Sequence, residues 1–225
     1  MPKFNRYFTA SFVLAFSLGF GSVGVIEATA STNTSSKATA TLATAVLDML
    51  PVKGRAPKTG YLRSAFSDGW GRFGGCDTRN LILARDLTGV LFRDDCIVES
   101  GTLLDPYTGK KISFVRGVKT SLAVQIDHVV ALSDAWQKGA QKLTSSERYS
   151  LYNDPLNLLA VDGPTNGAKS DSDAASWLPP NKSYRCKYVA RQVAVKAKYK
   201  LWVTKAEKSA IQAVLATCPS QKVPR

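Results

Sequence analysis

Histidine is nearly absent from this 225-residue chain: there is one, His128. There are four cysteines, Cys76, Cys96, Cys186 and Cys218, and none are spaced as Cys-x-x-Cys. Those two shortages argue against a closed tetrahedral zinc site, which needs four Cys or His ligands at short spacings. Acids are also scarce, with 17 Asp and Glu against 30 Lys and Arg. After the first 30 residues no apolar run approaches the ~18 residues needed to span a bilayer. No zinc finger, helix-turn-helix or internal repeat is visible. The carboxylate pair or zinc ligands usual in a cell-wall hydrolase are not evident either.

The N-terminus reads as a secretory signal. Lys3 and Arg6 form a positive start, Phe8 to Ile26 is uncharged and apolar, and Ala28-Thr29-Ala30 is a small-x-small cleavage site. Removing residues 1–30 takes out Lys3, Arg6 and Glu27, and the formal charge falls from +13 to +12. A secreted chain this basic suits a polyanionic partner such as nucleic acid or cell-wall polymer. Residues 31–41 are a small polar linker, expected to be disordered. Residues 42–225 then form one domain.

Export favours disulfides. Four cysteines allow three pairings. The nearest-neighbour set, Cys76–Cys96 and Cys186–Cys218, would staple the two flanks of the histidine segment.

Element signals alternate along the domain. Leu42 to Leu50 is a short helix before Pro51. Residues 53–75 read as an ordered loop packed by Tyr61, Phe66, Trp70 and Phe73. Asp77 caps a helix through Leu81, Ile82, Leu83 and Leu87. Strands are expected at Cys96–Val98 and Ile112–Val115, with a turn at Asp105-Pro106-Tyr107-Thr108-Gly109. Ala123 to Ile126 is a strand ending at Asp127-His128, and Asn157 to Val161 is another. Capping boxes at Thr144-x-x-Glu147 and Thr204-x-x-Glu207 open helices ending near Tyr152 and Ala216. Asn166 opens a helix through Ala174 and Ala175, and Tyr184 to Trp202 is a basic helix. The class is α+β.

The chemistry concentrates in Asp127-His128, Asn157 and Asn166-x-x-Lys169. Two paired strands followed by a helix would bring these together as a ββα unit. A neutral imidazole can deprotonate an attacking water at pH 7. Asp127 and Asn166 offer hard oxygens of the kind Mg²⁺ accepts with few protein ligands. Asn157 can bond backbone near His128 and orient it. Lys169, one turn after Asn166, can contact phosphate.

This set resembles the HNH (ββα-metal) nucleases. The closer resemblance is to an exported branch related to the C-terminal domain of GmrSD-type restriction enzymes. It is carried by Cys76-Asp77-Thr78-Arg79-Asn80, Arg85-Asp86-Leu87, Asp105 to Gly109, Ile126 to Leu132, Asp134-Ala135-Trp136, Asn153 to Leu158 and Trp177-Leu178-Pro179-Pro180, spanning about residues 61–218. The resemblance implies His128 as general base, Asp127 and Asn166 as metal ligands and Asn157 as the orienting residue. All-oxygen ligation then favours Mg²⁺, with Mn²⁺ as the alternative, over zinc.

Arg79 and Arg85 are expected on phosphate, although Arg85 and Asp86 could equally form a structural ion pair. Lys187 and Arg191, with Lys182, Arg185, Lys196, Lys198 and Lys200, have two equal readings: a track for the nucleic-acid backbone that reads no sequence, or a solvated face that aids solubility. The expectation is a secreted bacterial HNH endonuclease, monomeric and free of the membrane once its signal is cleaved, cutting DNA with RNA as a second candidate. The rival is a non-enzymatic basic protein that binds nucleic acid or anionic cell-wall polymer.

Overall fold

A computed structural model describes residues 41–224. The expected signal and nearly all of the linker lie outside the described residues. In chain order the elements are α1 Ala43–Met49, β1 Arg72–Phe73, β2 Cys76–Asp77, α2 Thr78–Asp86, β3 Leu87–Phe92, β4 Val98–Leu104, β5 Lys111–Val115, β6 Val124–His128, α3 Leu132–Gln137, α4 Ser145–Asn153, β7 Leu158–Asp162, α5 Gly163–Lys169, α6 Arg185–Lys198 and α7 Lys205–Ala216. The class is mixed α+β with small antiparallel sheets: β1–β2, β3–β4–β5 and β6–β7.

Both capping boxes form, with Thr144 and Thr204 accepting from the amides of Glu147 and Glu207. Asp77 caps α2 by accepting from the Asn80 amide. That helix stops at Asp86, before Leu87. The apolar run there continues as β3, which the sequence reading missed: Gly89 lies at positive φ (60°) and a register shift follows Thr88, so strand alternation is interrupted. The turn at Asp105 forms, with Gly109 at φ 76° and its amide bonded to the Asp105 carbonyl.

Three boundaries differ from expectation around the key unit. α5 begins at Gly163, not Asn166, because the Asp162 carboxylate accepts from the Thr165 amide (2.8 Å) and caps it, and Pro164 suits the first turn. It ends at Lys169, where Ser170 turns to positive φ (51°), so Ala174 and Ala175 lie beyond it. α6 is confined to Arg185–Lys198.

The β6–β7 pair lies between two apolar layers. Leu159 and Val161 pack with α1, α6 and α7. Val124, Ile126, Leu158 and Ala160 pack with α2 and the three-stranded sheet. The disulfides Cys76–Cys96 and Cys186–Cys218 are formed. The first ties the start of α2 to the approach to β4, and the second ties α6 to the end of α7.

Candidate active site

The site is built on β6, β7 and α5. In the antiparallel register Asp127 faces Leu159 and His128 faces Leu158. Successive side chains alternate between sheet faces, so Asp127 and His128 leave the strand in opposite directions. α5 lies along the Asp127 face. The strand pair Gln125 and Asp127 is two residues apart, and the helix pair Asn166 and Lys169 is about one turn apart. These spacings, about 6.7 Å and 4.5 Å, are close enough for pairwise contact. Asn166 donates to Gln125 Oε1 at 2.9 Å, and Lys169 Nζ lies 2.9 Å from Asp127 Oδ1. Gly163 permits the approach, since a Cβ there would collide with the Leu122 carbonyl.

Asp127 is buried and held from both sides. Tyr107 donates its hydroxyl to Oδ2 at 2.5 Å, and Lys169 holds Oδ1. Burial pushes the carboxyl above its ordinary range, opposed by Lys169 and Tyr107. Tyr107 comes from the Asp105 turn, which is itself anchored because Asp105 Oδ1 accepts from the Asp162 amide at 3.0 Å.

His128 is 5% exposed. Its Nε2 lies 2.8 Å from the Tyr152 carbonyl. A carbonyl only accepts, so Nε2 carries the proton, and in the neutral ring Nδ1 is the bare acceptor. Among the described residues Nδ1 has no hydrogen-bond partner. Trp70 stacks on the ring, 5.8 Å between centroids and 7° from parallel. Burial, then the nearby Arg63 charge, lowers the pKa to about 3 against a hydrogen bond that raises it, so the imidazole is neutral near pH 7. Asn157 accepts from the Val130 amide (2.8 Å) and donates to its carbonyl (3.3 Å), pinning the chain just after His128.

A cleft of about 290 Å³ opens where these groups meet. Its walls are Asp127, His128, Asn166, Gln125, Arg63 and Ser170, closed by Ile126, Ala131 and Leu132. A larger, more open hollow of about 770 Å³ lies beside it and contains none of the expected catalytic or metal-binding groups, although Trp70 borders it. The smaller cleft is the one lined by Asp127, His128 and Asn166. Among the described residues no three His, Cys, Asp or Glu side chains converge as a metal cage. Asp127 and Asn166 both line the cleft. The Asn166 amide nitrogen turns to Gln125, which leaves its carbonyl oxygen without an internal partner among the described residues.

Several expected phosphate contacts are placed elsewhere. Lys169 is fully buried, bonding Asp127 and the His128 carbonyl (3.0 Å), and its ammonium is not open to a phosphate. Arg79 donates to the Val124 carbonyl. Arg85 grips Asp86 through two hydrogen bonds and also bonds the Pro155 and Leu158 carbonyls, so the ion-pair alternative describes it. Arg191 donates to Leu156 and Pro155 carbonyls, and Lys196 is buried between Asp134 and Glu207. Lys187 is exposed. The basic run of α6 is therefore not one continuous cationic face: from Tyr188 to Lys196 the helix is buried apart from the half-buried Arg191.

The sequence reading missed Arg63, Trp70, Gln125 and Tyr107 as parts of the site. Tyr107 stood inside a motif already singled out, and Trp70 in the aromatic-rich loop. Arg63 and Gln125 carried no signal of their own.

The fold and the cleft define a mixed α+β domain whose strand-strand-helix unit carries an Asp-His pair. The chain belongs to the family of the GmrSD restriction endonucleases, C-terminal domain, which matches residues 77–214. It is also 40% identical over 181 residues to an uncharacterized secreted protein of Arthroderma benhamiae (strain ATCC MYA-4681 / CBS 112371), covering 80% of this chain and 86% of that protein. That relative is fungal and gives no support to the bacterial origin expected from the sequence. No solved structure matches the chain. Among the described residues no helix is long and apolar enough to cross a membrane.

Proposed function

We propose that this chain is a secreted, monomeric, divalent-metal-dependent endonuclease with an HNH (ββα-metal) core, hydrolysing phosphodiester bonds of DNA without sequence preference. RNA is the second candidate substrate. The observation that carries the reading is the convergence of a neutral imidazole, a carboxylate and an amide oxygen on one cleft, in a family named for endonucleases. The strand-strand-helix order of β6, β7 and α5 supports the ββα-metal assignment. Secretion is supported by the N-terminal signal pattern and by the name of the fungal relative.

His128 acts as general base. Its Nε2–H is held by the Tyr152 carbonyl, so Nδ1 takes the proton from an attacking water. The hydroxide attacks phosphorus, the bond to the leaving oxygen breaks, and that oxygen is protonated from solvent. Burial makes the free imidazole a weak base. The anionic phosphodiester beside it favours the imidazolium and offsets part of that effect. Asn157 keeps His128 in register, and Lys169 holds the Asp127 carboxylate. A carboxylate has about four acceptor positions, so Lys169 and Tyr107 leave Asp127 room for a further ligand. Asp127 and Asn166 would hold Mg²⁺ or Mn²⁺ through their oxygens, which suits ions that keep several waters. The bound cation supplies neutralisation of the phosphate and stabilisation of the leaving oxygen.

The compensated charge of Asp127 and the net positive charge favour one alternative, a metal-free basic protein that only binds polyanions. Incubating the purified protein with plasmid in Mg²⁺, in Mn²⁺ and in EDTA separates the two. The nuclease reading expects cleavage with metal and none in EDTA, and it expects Asn166→Ala to need more Mg²⁺ for half-maximal rate. Undiminished cleavage in EDTA contradicts the metal assignment. Binding without cleavage in any metal supports the alternative.

A further inference from the structure

We propose that Arg63 is the residue that grips the scissile phosphate in this cleft, an inference that rests on the nuclease reading. Arg63 lies in a single helical turn, Arg63–Ala65, upstream of the stretch that matches the family. It lines the same cleft as His128, Asp127 and Asn166.

Its position is set by Tyr152. The guanidinium lies 5.2 Å over the Tyr152 ring, and Nη2 donates to the Tyr152 hydroxyl at 3.3 Å. The carbonyl of the same Tyr152 accepts from His128. One residue therefore fixes both the imidazole and the guanidinium. Among the described residues the Arg63 side chain makes that one hydrogen bond and no ion pair. Most of its five N–H donors remain available to a ligand.

The alternatives nearby are committed. Lys169 is buried on Asp127, Arg79 bonds the Val124 carbonyl, and Arg85 bonds Asp86 and two carbonyls. A phosphodiester entering the cleft would meet Arg63 as its cationic wall. A planar guanidinium can hold two phosphate oxygens at once, which a lysine cannot reproduce.

The test compares wild type, Arg63→Ala and Arg63→Lys, each checked for native circular dichroism. A labelled DNA duplex is used for single-turnover cleavage at saturating protein and for binding by anisotropy across salt concentrations. Arg63→Ala should lower the saturated cleavage rate on the order of 10²-fold, as for loss of one preorganised charge contact. Its log–log salt slope for binding should fall by about 0.9, one phosphate contact. Arg63→Lys should restore the salt slope but not the full rate. If wild type cleaves and Arg63→Ala matches it in rate and slope, Arg63 is only a surface group stacked on Tyr152, and the nuclease reading survives. If wild type cleaves nothing in Mg²⁺ or Mn²⁺, both readings fall together.

Discussion

Two buried lysine–carboxylate clusters sit in this domain, and their surroundings differ. In the first, Lys138 contacts Asp134, Asp173 and Glu207 at 2.6–2.7 Å, and Lys196 contacts Asp134 and Glu207. Arg55 adds contacts to Asp134 and Asp173. Three acids face three bases, and the charges balance. The cluster joins α3, α6, α7 and the chain after α5 without lining the cleft of the candidate site. In the second, Lys169 meets Asp127 with Tyr107 on the other oxygen, and the carboxylate borders the cleft beside His128. The same pairing is enclosed in one place, and in the other it holds the carboxylate that the proposed mechanism uses. A buried ion pair alone does not point to a site; the cleft and the adjacent imidazole are what single out the second cluster.

Truncating each lysine should sharpen that contrast. Lys138→Met leaves three buried acids facing Lys196 and Arg55. It should cost on the order of 3–5 kcal/mol or more, the range for stranding a buried charge. Lys169→Met leaves Asp127 with the Tyr107 hydrogen bond and access to water in the cleft, so its cost should be smaller, about 1–3 kcal/mol. Denaturant unfolding measures both. Equal losses would mean the cleft gives Asp127 no relief.

Acid should separate the clusters by pH window. The His128 pKa is lowered to about 3 in the fold, chiefly by burial, from an ordinary 6.5, with Arg63 and Lys169 adding to the effect. Between those values the unfolded chain binds a proton that the native chain does not. Stability therefore falls as pH drops from 6.5 towards 3, by up to ~1.4 kcal/mol per unit. Burial of Asp173 would raise its pKa, but Lys138 and Arg55 outweigh this and hold it at about 2. Its stabilisation is present above 3.8 and is lost as pH falls through about 2. As pH falls from 7 to 5, unfolding free energies should drop more in wild type than in His128→Gln, since the variant lacks the one histidine of the chain. An identical slope in the variant would refute the assigned environment of His128.

Much of the site's frame was legible in the sequence. The strands at 124–128 and 158–162, both capping boxes and both disulfides follow from local pattern, because each is decided within a few residues or by simple pairing. The role of Lys169 was not legible. One turn after Asn166 on an isolated helix it reads as a cation free to contact phosphate, and only the docking of α5 onto β6 buries it against Asp127. Lys196 misleads in the same way within a basic run. β3 was hidden because Leu87 continued the helical period and Gly89 broke the strand alternation. Arg63 was invisible because it comes from an irregular loop, whose path depends on contacts with Tyr152 and Trp136 far along the chain.

The most direct test is single-turnover cleavage of a DNA duplex in Mg²⁺ by wild type and by His128→Ala, at protein concentrations that saturate binding. The base assignment predicts that His128→Ala binds DNA as wild type does, keeps a native fold, and cleaves ~10²–10⁴-fold more slowly. A wild-type rate in that variant would contradict it, since the chain has no other histidine to take the proton.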